Sequence, residues 1–196
     1  MHHPSLPAPL TEAELAMAEH ELGVSFPAAY RAYLQEPQPA KRVFQPCRKE
    51  WGWDWGADRD TPAELLALPF PHPDSYLIAN AELDAREPRL EECVDEQAYT
   101  EAWQAWDQEY EVFQDHKTAG AVILQDNGCG FYTLLAVTGP LAGTVWWDGR
   151  ATCDLIISLS LDHAGSARPA TFSEWLRHDS WELLPPGWGQ SPPSTP

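Results

Sequence analysis
The densest run of side chains able to recognise something lies between Trp51 and Asp60, WGWDWGADRD. Three tryptophans, Trp51, Trp53 and Trp55, alternate with glycine and with Asp54, and Asp58 and Asp60 follow. On an extended backbone successive side chains point to opposite faces, so the three rings share one face. Two readings stand side by side. The rings wedge into a core or cover a sheet edge, as large aromatics do, or they form an exposed aromatic and acidic patch for a partner, because tryptophan concentrates at binding hot spots. A third use is a sugar platform, with Asp58 and Asp60 as the acid and base of a glycosidase or as glycan ligands. Acidic residues are abundant along the whole chain, however, and no spacing singles out these two.

Other chemistry is thinly represented. The sequence has no P-loop, no G-x-G-x-x-G, no G-x-S-x-G and no HExxH. Cys129 sits between Gly128 and Gly130 in a turn, but no histidine stands in a supporting motif, so a nucleophile is not expected. Cys47, Cys93, Cys129 and Cys153 are isolated, without CxxC spacing, and the histidines are scattered. Neither a metal site nor a cofactor is expected, and the reading is a binder without a catalytic centre.

Charge narrows the partners. A formal net charge of −18 over 196 residues repels nucleic acid and anionic membrane, and suits a basic protein partner or simple solubility. No apolar run approaches the roughly 18 residues of a membrane span. The start, MHHPSLPAPL, has no basic segment ahead of an apolar core, so no signal peptide is read and the cytoplasm is the expected compartment.

The elements that would position these residues centre on Ala121 to Asp148, AVILQDNGCGFYTLLAVTGPLAGTVWWD. Asn127-Gly128 with Gly130, and Gly139-Pro140 with Gly143, divide it into three antiparallel strands with one face to bury. Asp154 to Leu159 extends the sheet. Ahead of it, Thr11-Glu12-Ala13-Glu14 is a capping box opening a helix that buries Leu15, Ala18 and Leu22 and stops at Gly23. Pro27 starts a second helix carrying Tyr30, Tyr33 and Leu34. Thr61-Pro62 opens a brief helix to Leu68, and Tyr76 to Ala79 is a short strand candidate. A long helix from about Asp95 to Phe113 places Tyr99, Ala102, Trp103, Trp106, Tyr110 and Phe113 on one stripe, expected to be core. From Glu91 to Asp115 there are nine acidic residues and no Lys or Arg. Thr171 to Glu174 repeats the capping box ahead of Trp175 and Leu176. The expected fold class is α+β, a mostly antiparallel sheet packed with N-terminal, middle and C-terminal helices. One domain spans 10–184, with a flexible arm at 1–9 and a proline-rich disordered tail at 185–196.

Three pieces of this pattern together resemble the SUKH superfamily, the Smi/Knr-like proteins. The first is LTEAELAMAEHELGVSFPAAYRAYL, through Glu19, Leu22, Gly23, Pro27, Tyr30, Tyr33 and Leu34. The second is DNGCGFYTLLAVTGPLAGTVWWD, through Gly128, Gly130, Gly139, Gly143, Val145 and Trp146. The third is TFSEWL, which holds Trp175. The middle, 36–118, is longer and more aromatic than a minimal member needs and maps onto no motif of the family. The resemblance implies an α+β fold and a non-enzymatic role: bacterial members are mostly immunity proteins that neutralise a secreted toxin, and fungal members are regulatory scaffolds. The expected partner is a basic toxin domain. The expected contact surface is Trp51 to Asp60 joined by Asp126 and Tyr132 near the turn of the sheet, because loops on a rigid sheet carry variable recognition. Burial of all three tryptophan rings would shift it to the acidic helix.

Overall fold
The computed structural model describes residues 8–37, 41–55, 62–163 and 168–188. Asp58 and Asp60, the first seven residues of the N-terminal arm and most of the C-terminal tail lie outside the described residues. The fold is α+β, as the sequence led us to expect.

Helix α1 (Glu12–Leu22) begins on the reciprocal capping box: Thr11 N donates to Glu14 Oε2 at 2.8 Å and Glu14 N to Thr11 Oγ1 at 3.3 Å. Gly23 closes it in the left-handed region. Pro27 stands immediately before α2 (Ala28–Leu34), which buries Tyr30, Tyr33 and Leu34. The two helices are tied by Glu19, which accepts from Phe26 N and from Arg31.

Four consecutive antiparallel strands form the main sheet: β3 (Ala121–Asp126), β4 (Tyr132–Ala136), β5 (Val145–Asp148) and β6 (Ile156–Ser158). The sheet thus has one strand beyond the three-strand meander. It is also covered on both sides. Trp146 and Trp147 are neighbours on β5, so their rings point to opposite faces, yet both are fully buried. Trp147 meets Phe131 and Trp181, on the face where Thr133 Oγ1 and Trp175 Nε1 share Ser180 Oγ at 2.8 Å each. Helix α7 (Phe172–Trp175) and the rings of Tyr30 and Phe172 continue that layer. Trp146 meets Phe70 and His72 on the other face. Burial on both sides explains why β3 to β5 read as continuous apolar runs instead of alternating ones.

The second layer docks through glycine. A Cβ on Gly120 would lie 2.2 Å from Leu68 O and 2.6 Å from Phe70 N, and its φ is +64°. Only glycine lets Gly120 N reach Leu65 O and lets the chain after α3 (Ala63–Leu66) lie against the sheet. Two short strands, β1 (Pro46–Lys49) and β2 (Gly52–Trp55), form a separate hairpin. Phe44 N and Trp55 Nε1 tie it to β3 carbonyls.

Two expectations fail in the middle of the chain. Tyr76 to Ala79 is not a strand. His72 caps a 3₁₀ turn at Pro73–Ser75, and α4 (Leu77–Asp84) follows, because LIANAELD is rich in strong helix formers. The aromatic stripe of α5 (Glu96–Lys117) is not core either: its one buried residue is Lys117, and Trp103 is 38% exposed. The reason is length. At about 1.5 Å per residue α5 runs about 33 Å and α4 only about 12 Å, so α4 covers part of the stripe and the rest overhangs. At the far end of the chain, Trp188 closes a turn onto Pro185 and rests on the core.

Candidate functional site
The residues singled out by sequence are dispersed. Trp53 and Trp55 are buried in the core, and Trp53 N is held by Glu21 Oε2 at 3.0 Å. Trp51, 77% exposed, sits in the β1–β2 turn and is the one ring of the three left at the surface. Hairpin parity explains the split: the rings do share a face along β2, but Trp51 has already left the strand. Asp54 accepts from the backbone N–H of Trp55. Asp126 is exposed and accepts from Gly128 N at 2.7 Å, closing the turn it was expected to decorate. Tyr132 alone among these residues lines a sizeable polar cleft.

That cleft, about 320 Å³, lies where the C-terminal end of α5 meets β4, β5 and α6 (Arg150–Cys153). It is built on two ion pairs. Asp148 ends β5 with its carboxylate 5% exposed and accepts from Arg150 Nε at 2.8 Å and Nη2 at 2.7 Å. Arg150 Nη1 donates to the carbonyl of Gln114. That carbonyl is one of the last four of α5, which have no partner within the helix. Arg150 therefore caps α5 and pins it to the sheet. Beside it, Lys117 Nζ donates to both oxygens of Asp154 at 3.0 and 3.1 Å, and Gln114 Nε2 donates to Asp154 Oδ1 at 2.9 Å.

The two cations respond differently to burial. At Arg150 burial pulls the pKa down, but the Asp148 carboxylate more than offsets it and the net shift is upward. At Lys117, whose side chain is 1% exposed, burial wins over Asp154 and the pKa falls below its ordinary value. Burial raises the phenols of Tyr76 and Tyr110 nearby.

Sequence reasoning missed Lys117, Asp148, Arg150 and Asp154. One signal was present: Lys117 is the sole Lys or Arg between Leu90 and Gly149, placed in the last turn of a strongly acidic helix, where a cation meets the dipole. Beyond the cleft, whose lining includes the exposed Glu111, the rest of α5 carries Glu96, Glu101 and Glu109 on exposed positions, with Trp103 and Val112 beside them. Glu109 is bridged to Arg86 at 2.6 Å, and Trp106 Nε1 donates to Leu83 O at 2.9 Å; these contacts bind α5 to α4. Among the described residues no group of three His, Cys, Asp or Glu side chains could hold a metal ion, and no helix is long and apolar enough to cross a membrane.

The sequence model of the SMI1 / KNR4 family (SUKH-1) matches residues 9–178, from the cap of α1 through α7 and including the long middle segment. No curated protein and no solved structure matches the chain.

Proposed function
Because the chain belongs to the SMI1 / KNR4 family (SUKH-1), we propose that it is a non-catalytic protein-binding domain, an immunity protein that neutralises a cognate bacterial toxin in the cytoplasm. The observation that carries this reading is α5. A helix of 22 residues with a single buried side chain is held at its C-terminal end and along α4, and it presents acids together with a half-open aromatic stripe. Aromatic rings among like charges fit a partner whose surface is basic and partly apolar. A toxin that acts on nucleic acid has such a surface, because its cleft must hold phosphate. The glycan reading loses its platform, since Trp53 and Trp55 are occupied in the core.

The test is coexpression with the toxin encoded beside the gene, followed by binding kinetics on the purified pair. Cells survive, and Glu96→Gln with Glu101→Gln lowers the on-rate and flattens its salt dependence, while Trp103→Ala chiefly raises the off-rate. An association rate indifferent to salt removes the polyanion mechanism. Capture of several unrelated proteins with no rescue from the toxin supports a regulatory scaffold instead.

A further inference from the structure
Asn127-Gly128, in the turn between β3 and β4, carries covalent chemistry that needs no catalyst. The backbone nitrogen of Gly128, with no side chain to hinder it, can attack Cγ of Asn127. The N–Cγ bond forms, the Cγ–Nδ2 bond breaks, and the proton of the Gly128 N–H leaves with the amide nitrogen as ammonia. Water then opens the five-membered imide at either carbonyl, giving aspartate or isoaspartate, so the net reaction consumes one water and releases one ammonia.

The folded turn opposes each of these steps. Gly128 N donates to Asp126 Oδ1 at 2.7 Å, so the attacking nitrogen is held by a carboxylate and keeps its proton. The leaving nitrogen is held as well: Asn127 Nδ2 donates to Thr133 Oγ1 at 2.9 Å, and that hydroxyl is itself bonded to Ser180 Oγ. Negative charge would gather on Asn127 Oδ1 in the tetrahedral intermediate, yet this oxygen is buried and no donor faces it. Asn127 N donates to Phe131 O at 2.9 Å and Phe131 N to Gly128 O at 3.0 Å, which closes the turn around the pair.

We propose that Asn127 is a site of spontaneous deamidation held shut by the β3–β4 turn, and that opening of the turn triggers a one-way change. The product does not fit where the amide was. A carboxylate at 127 has no proton to give Thr133, and it places charge where Oδ1 meets no donor. Isoaspartate also adds a carbon to the backbone just beyond the Asp126–Tyr132 pair, so the strands cannot close again in the same register. The effect reaches further than the turn. Phe131 packs on Trp147 and Tyr132 lines the cleft at the root of α5, so conversion loosens the platform on which α5 is anchored.

The experiment incubates the full chain in neutral buffer and, in parallel, in denaturing guanidinium chloride. Residue 127 is followed by mass spectrometry of a proteolytic digest, with isoaspartate and aspartate peptides separated by retention time. Conversion in buffer is expected to run about tenfold slower than in denaturant, because the bonds that hold both nitrogens must first break. Asp126→Ala frees the Gly128 N–H and raises the rate in buffer, whereas Asp126→Asn, which keeps an acceptor oxygen, stays close to the parent. Amide exchange in β3 and β4 of each variant separates local opening of the turn from global unfolding. Asn127→Asp, which mimics one product, lowers the thermal midpoint. Equal rates in buffer and denaturant overturn the proposal, as does an Asp126→Ala chain that converts no faster than Asp126→Asn. An Asn127→Asp chain that melts with the parent overturns the one-way character of the change.

Discussion

Asp148→Asn removes the charge that holds Arg150, and the consequence can be worked from the geometry. Asp148 accepts from Arg150 Nε, Nη2 and backbone N at 2.7–3.1 Å, and the two side chains are 5% and 9% exposed. Asparagine is nearly isosteric, so little packing is lost. It presents a single acceptor oxygen where the guanidinium used two, and no negative charge. A buried charge left without its partner costs about 3–5 kcal/mol. The loss should fall at the upper part of that range, because Arg150 cannot swing to water without also releasing the Gln114 carbonyl that it caps. For a chain of this size each kcal/mol corresponds to about 2–4 °C in Tm, so a drop of about 12 °C is expected in a thermal melt. Urea unfolding should show a lower midpoint with an unchanged slope. Amide exchange should accelerate selectively in the last turn of α5, whose anchor has gone. Added salt should not restore the loss, since a pair this buried is screened little. A destabilisation below about 1 kcal/mol, the range of exposed pairs, would refute the reasoning and mean that Arg150 is solvated.

Lys117→Met should behave oppositely. Burial already wins over the ion pair there, and Asp154 keeps 32% exposure and its bond from Gln114. Stability by urea unfolding should therefore stay within about 1 kcal/mol of the parent or rise. Trp55→Ala should cost about 3–5 kcal/mol, because its ring packs on Phe26 and Tyr30 and its Nε1 bonds Ile123 O. Trp51→Ala, at an exposed turn, should stay within about 0.5 kcal/mol in the same assay. Alkaline pH should unfold the protein through its phenols. Burial raises Tyr30, Tyr33, Tyr76 and Tyr110 above the ordinary value of 10.0, so the folded state keeps protons that the unfolded state releases. Their contribution is complete below pH 10 and lost as pH climbs beyond it, and tyrosinate absorbance should appear together with loss of circular dichroism.

Local chemistry carried much of the fold into view from the sequence. Thr11 with Glu14, Thr171 with Glu174 and Gly23 mark helix ends because capping is settled within four residues. The turns at Gly128 and Gly143 separate strands that pair with their neighbours in sequence, so the meander needed no distant information. The SUKH resemblance rested on these same local features.

Other outcomes depended on lengths and partners far apart in the chain. Periodicity placed six α5 residues on one stripe, but whether a stripe is core depends on how long its neighbour is, and α4 is too short. Alternation put Trp51, Trp53 and Trp55 on one face, yet only the hairpin turn decided that one ring would face water. The candidate cleft was the least legible part. Its clamp joins Gln114 and Lys117 to Arg150 and Asp154 across 36 to 40 residues, with Asp148 holding Arg150, and each of these reads in sequence as one more surface charge or amide. The sequence by itself therefore determined the caps, the turns, the strand order and the family. The tertiary structure alone decided which charges are buried together, because burial is a property of what packs opposite a residue and not of its neighbours along the chain.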